Sequence, residues 1–174
     1  PRAPSPVPAT GASAVADRLG ELRERLAAAC ARAGREPSEV TLVGVSKTVE
    51  PERIRQALDA GLTHLGENRV QEAVEKMIAL SDRAPQWHLI GHLQRNKARK
   101  AVELFDRIET VDSLRLADSL ERAAEEIGRD LRVFVQVNVG EAPQKAGVLP
   151  SETEELVDQH QIENRRIENR QRLG

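Results

Sequence analysis

Five short runs of β-branched and aliphatic residues, alternating with stretches of helical apolar spacing, constrain this chain more than any other feature. The runs are Val40 to Lys47, Thr63 to Leu65, Gln86 to Ile90, Arg107 to Val111 and Leu131 to Val139. In the last, Leu131, Val133, Val135, Val137 and Val139 alternate with Arg132, Phe134, Gln136 and Asn138. The helical stripes begin with Val15, Leu19, Leu22, Leu26 and Cys30, then Ile54 and Leu58, then Val70, Ala73, Val74, Met77 and Ile78. A basic helix over 96–104 and a stripe of Leu116, Leu120, Ala123 and Ile127 complete the set. Pro51 suits a first helical turn, Asp112 or Ser113 a cap, and Gly34, Gly61 and Gly128 suit helix ends. Strands and helices alternating at this length are repeated βα units, which predict an α/β fold with a parallel sheet.

Length then limits the architecture. A closed eight-strand barrel takes ~250 residues, whereas the fifth predicted strand here ends near residue 139 of 174. The expectation is an incomplete parallel (β/α) barrel with about five of eight units, as in a chain truncated or frame-shifted at its C-terminal side. The remainder offers one short helix, Ser151 to Val157, and a charged tail in which Ile-Glu-Asn-Arg occurs twice. The domain reading is a disordered proline-rich lead over 1–10, a partial barrel over 11–157, and a repetitive tail over 158–174.

Composition removes several function classes. There is no tyrosine, so no phenol serves as acid or base within the chain. The single cysteine, Cys30, rules out an intrachain disulfide framework and a multi-cysteine metal knuckle. A formal charge of −2 gives no bulk attraction to a polyanion. The basic stretch Gln94 to Lys100 lacks interleaved aromatics and reads as a solvated helix face, so no nucleic-acid partner is expected. No apolar run reaches the ~20 residues of a membrane span, and no signal peptide is visible, so a cytoplasmic location is expected. His88 and His92 are four apart but straddle Gly91 without a third ligand, so no metal is assigned. His64 reads as a packing or capping residue, Glu67 as a group that orients a neighbour or hydrogen-bonds backbone, and Lys145 as loop surface charge.

Lys47 is the residue with chemical potential. It ends the first predicted strand, where βα proteins gather functional groups, on the same side as Val43 and Val45. A lysine there is either a solvated strand-end residue or a buried amine, its pKa lowered by desolvation, able to form a Schiff base with an aldehyde.

An ordered series of motifs surrounds it. Val45-Ser46-Lys47-Thr48 is followed by Gly66-Glu67-Asn68 with Gln71-Glu72, then Trp87-His88-Leu89-Ile90-Gly91-His92-Leu93-Gln94 with Asn96-Lys97. Val111-Asp112-Ser113 and Gln136-Val137-Asn138 with Glu141, Lys145 and Gly147 complete it. Over residues 12–150 this series resembles the pyridoxal phosphate homeostasis proteins (the YggS family). The resemblance implies a barrel of the TIM or alanine racemase N-terminal type. It also implies pyridoxal 5'-phosphate held as a Schiff base on Lys47, with Asn68 lining the cofactor pocket, and a role in vitamin B6 homeostasis without turnover. Family members are monomers, and open strand edges give this chain a route to self-association. The family's phosphate cradle, a Ser-Gly loop and a later Gly-rich loop, together with an arginine beside the pyridine nitrogen, has no counterpart after residue 150. Two other readings stay open. One is a truncated fragment that binds nothing tightly. The other is an amino-acid racemase-like enzyme, for which the tyrosine opposite the lysine is missing.

Overall fold

Residues 11–160 are described by the computed structural model. The predicted lead over 1–10 and the tail from 161 onward lie outside the described residues. The elements alternate as α1 (Gly11–Arg32), β1 (Val43–Val45), α2 (Pro51–Asp59), β2 (His64–Glu67), α3 (Val70–Ala79) and β3 (Gln86–Leu89). They continue as α4 (Ala98–Leu104), β4 (Arg107–Val111), α5 (Leu114–Ile127), β5 (Arg132–Val135) and α6 (Pro150–Gln159). Local sequence explains the punctuation. Pro51 stands in the first turn of α2, where its missing N–H costs nothing. Gly128 closes α5 in the left-handed conformation, at φ 69°, which a side chain would resist.

The five strands are parallel and lie in sequential order, β1-β2-β3-β4-β5. This is the winding of a barrel wall rather than of a doubly wound sheet. Right-handed crossovers in such an order place every connecting helix on one face. That face is dry: Leu65, Leu89 and Ile108 of the strands pack with Val70, Val102, Phe105 and Leu116 of the helix layer and are buried. Burying each such side chain contributes ~1.5–3 kcal/mol. Among the described residues the other face carries no helix layer. Val45 is 53% exposed, and Val43, Val45, Ile90, Glu109, Thr110 and Gln136 line an open concavity of about 380 Å³. Thus the expected five parallel βα units are present, with β1 and β5 at the two edges.

Several predicted boundaries shift. Strand β1 is shorter than 40–47 because the chain leaves the sheet in a turn right after Val45. Strand β5 also stops early. Beyond it, among the described residues, only Val137 bridges to Val148, the chain turns through Glu141 at φ 48°, and Val139, expected as the last residue of the alternating strand, is exposed outside it. Register slips by one residue in β4, since Ile108 and Val111 oppose Val133 and Val135. Leu22 on α1 and Ile78 on α3 are exposed, because each lies at the margin of its stripe. Helix α6 runs through Gln159, so the predicted boundary at 158 falls within it. Its Leu156 and Val157 cover Val135 and Val148 in a small second core.

Candidate functional site

Lys47 and Asn68 leave the sheet side by side. Val45 pairs with Gly66 in the last row of β1 and β2, and each site residue follows two positions later in its own strand. Both therefore emerge at the carboxyl ends of adjacent strands, where parallel α/β folds assemble their sites. Val45 lines the open concavity, whereas Asn68, one residue past the end of β2, lines a second concavity with His92, Gln94 and Lys97. Asn68 is half-buried and Lys47 exposed. The buried amine expected at position 47 is therefore not found. The lysine sits in a projecting turn after the edge strand β1, and no helix among the described residues covers it.

The turn has an unusual backbone. Val49 N–H donates to the Ser46 carbonyl at 3.0 Å, enclosing Lys47 and Thr48, and Thr48 adopts φ 60°. A β-branched residue in the left-handed region is strained. Behind the turn lies a buried polar cluster. Glu67, fully buried, accepts the Ser46 hydroxyl at 2.6 Å and the Lys76 ammonium at 2.7 Å, both on Oε1. Lys76 also donates to the Ser46 carbonyl at 2.5 Å, while Glu67 Oε2 has no hydrogen-bond partner among the described residues. Glu67 thus does orient neighbours, as expected. The sequence reading missed Lys76, although a signal was present. Lys76 is three residues after Ala73 and four before Leu80, both buried, so it occupies a core position of the α3 stripe.

Asn68 is held from the β3 side. Ile90 N–H donates to the Glu67 carbonyl at 2.9 Å. Gly91 follows so closely that a Cβ there would lie 2.7 Å from the Asn68 Cα. Only glycine permits this approach.

A second chain of hydrogen bonds crosses the open face lower down. His88 Nδ1 pairs with Glu109 Oε1 at 2.7 Å, and its Nε2 meets His64 Nδ1 at 2.9 Å. In a neutral His88 that donates to this carboxylate from Nδ1, Nε2 is left as the acceptor and His64 donates from Nδ1. Burial, and then the neighbouring His88 and Arg107, hold the His64 pKa below the ordinary imidazole value, with Asp106 acting the other way. His64 is accordingly a packed residue. His92 turns instead to Asp112 at 3.0 Å, so the structure directs the two histidines of the four-residue spacing to different partners. In the basic stretch, Arg99 and Lys100 pair with Glu103 and Glu126 on the exposed helix surface. Lys145 is exposed in a loop organised by Asn138, whose amide donates to the Ala142 carbonyl at 2.9 Å. No helix among the described residues is long and apolar enough to cross a membrane.

Comparison with known proteins places this geometry. The pattern of the alanine racemase N-terminal domain matches residues 17–169. Pyridoxal phosphate homeostasis protein of Escherichia coli K12 is 39% identical over 145 residues, covering 82% of this chain and 62% of the relative. That of Aquifex aeolicus is 41% identical over 142 residues, with the same coverages. This chain therefore spans somewhat under two thirds of the length of those curated relatives. Among solved structures, PipY of Synechococcus elongatus without pyridoxal phosphate superposes with a TM-score of 0.75 at 44% identity, covering 85% of this chain and 65% of that one. PipY with pyridoxal phosphate bound gives 0.70 at 42%, covering 83% and 63%. Alanine racemase of Clostridium difficile gives 0.57 at 16%, covering 71% and 32%, a likeness of fold alone.

Proposed function

The chain belongs to the alanine racemase N-terminal-domain family, and on that premise we propose that it binds pyridoxal 5'-phosphate covalently at Lys47, with Asn68 beside the ring. Its role on this reading is vitamin B6 homeostasis in the cytoplasm, holding the cofactor without turning over a substrate. The observation that carries the reading is the position of Lys47: a primary amine at the carboxyl end of β1, on a pinned turn, adjacent to Asn68. Bound pyridoxal phosphate supplies an aldehyde carbon that condenses with a primary amine and releases water.

The residues present fit that end of the cofactor. Lys47 is accessible to an incoming aldehyde, and the concave face beside it leaves room for a planar ring. Asn68 offers an amide donor and acceptor at the same level. Ser46, Glu67 and Lys76 hold the backbone of both residues from the helix side. A racemase needs a second acid–base group opposite the lysine, and a chain without tyrosine does not provide the phenol used for that purpose in the racemase family.

The test is borohydride trapping. Adding pyridoxal phosphate should give visible absorbance, reduction should fix one adduct on the peptide containing Lys47, and Lys47→Ala should abolish it. A folded sample that forms no adduct, or forms it on another lysine, overturns the reading. An amino-acid racemisation assay should stay flat, and turnover dependent on Lys47 would replace homeostasis by catalysis.

A further inference from the structure

Lysine is seldom buried, because an ammonium is costly to desolvate unless paired. Lys76 is nevertheless 9% exposed on the covered side of α3. Packing does not call for a charge there, since Ala73 and Leu80 on the same stripe are apolar. Its two partners explain the choice. Glu67 neutralises the ammonium at 2.7 Å, and the second bond goes to the Ser46 carbonyl. That carbonyl belongs to the peptide joining Ser46 to Lys47. The same oxygen closes the turn by accepting Val49 N–H, and the turn contains the strained Thr48. A strained turn persists only where its surroundings over-determine it.

We propose that Lys76 is a positioning residue for Lys47, its ammonium clamping the Ser46 carbonyl and so fixing the turn from which the attachment amine projects. The proposal rests on the reading of Lys47 as the attachment point. The Ser46 hydroxyl, donated to Glu67 Oε1, joins the ends of β1 and β2 to α3 in one buried unit. Because Glu67 directly precedes Asn68, the unit sets the backbone of both site residues. The alternative is that Lys76 and Glu67 only hold the helix to the sheet, in which case the turn would be indifferent to their removal.

The experiment compares the whole chain with the double variant Lys76→Met, Glu67→Gln, which removes both charges together and leaves neither buried alone. A control, Val102→Ala, weakens the core on α4 without touching the turn. Amide exchange at Val49 reads the clamp without cofactor, and circular dichroism of the bound chromophore reads how rigidly Lys47 presents it. In the parent, Val49 should exchange as slowly as neighbouring strand amides. In the double variant its exchange should accelerate about tenfold or more, as expected when a charged hydrogen bond is lost. The induced dichroism per trapped adduct should fall, while Val102→Ala should alter neither reading. Unchanged Val49 exchange and dichroism in the double variant overturn the clamp and leave attachment at Lys47 standing. Absence of any adduct in the parent overturns the attachment reading, while Val49 exchange still decides the clamp on the backbone. Should the double variant fail to unfold cooperatively, the parent decides. Fast Val49 exchange there overturns the proposal, and slow exchange supports it.

Discussion

Substituting Gly91 by alanine tests whether the site depends on a close backbone crossing. The new Cβ would lie 2.7 Å from the Asn68 Cα and 2.8 Å from its carbonyl carbon, and closer still to its carbonyl oxygen. Ordinary contact begins near 3.4 Å, so the two backbone segments must separate by roughly an ångström. The atoms met are backbone and cannot rotate aside. Overpacking of this kind costs ~1–3 kcal/mol, and a rigid obstacle places Gly91→Ala toward the upper half, about 2 kcal/mol. With a urea m-value of ~2 kcal/mol per molar, the unfolding midpoint should fall by roughly 1 M. Gly66→Ala provides the internal contrast. Its Cβ would meet the Ile90 Cδ1 at 3.0 Å and the Val43 Cγ1 at 3.3 Å, side-chain ends on an open face that can yield, so the loss should stay below about 1 kcal/mol. Adduct formation at Lys47 should be impaired more in the first variant, which displaces Asn68. Equal midpoints for the two variants, or a Gly91→Ala protein as stable as the parent, would refute the steric argument.

Three further outcomes follow from the interactions described. Lys76→Met alone leaves Glu67 buried without its counterion and should cost ~3–5 kcal/mol, most of it recovered when Glu67→Gln is added; equal losses in the single and double variants, measured by urea denaturation, would argue against a coupled pair. His64 holds a proton less readily when folded than the ordinary value of 6.5, so the unfolded chain binds more protons as the medium becomes acidic. Its contribution to stability is present above pH 6.5 and lost as pH falls through the lower folded value. Thermal midpoints should therefore drop from pH 7 toward pH 5, and less steeply in His64→Gln; parallel slopes would contradict this. Arg23 donates to the Ala60 and Gly61 carbonyls at 2.9 and 2.6 Å, joining α1 to the end of α2. Its exposure limits the contribution, so Arg23→Ala should cost about 1 kcal/mol and speed proteolysis between α1 and β1, and an unchanged cleavage rate would count against that anchor.

The βα alternation was legible because periodicity changes cleanly between strand and helix, and because Pro51, Gly34, Gly61 and Gly128 punctuate it. Residues 47 and 68 could be placed at strand ends for the same reason. Where periodicity and tertiary contact part, the reading failed. Val139 continues a flawless alternation, yet no strand among the described residues extends far enough to pair with it. Lys47 follows two valines of an edge strand, but the chain has already turned out of the sheet there, so alternation misjudged its exposure. Lys76 was hidden by its own charge. A lysine in an apolar stripe is discounted from sequence, and only the carboxylate nine residues earlier, brought back by the β2–α3 turn, makes its burial affordable.

Sequential strand order also bears on synthesis. Among the described strands each pairs with the one made just before it, so none of these four pairings waits for a distant segment. Once Lys97 has left the ribosome, β1, β2 and β3, the lysine-bearing turn, its ion pair and the glycine crossing have all been delivered. The corner that would receive an aldehyde is thus the earliest part of the sheet able to assemble, and later strands are added to a working template.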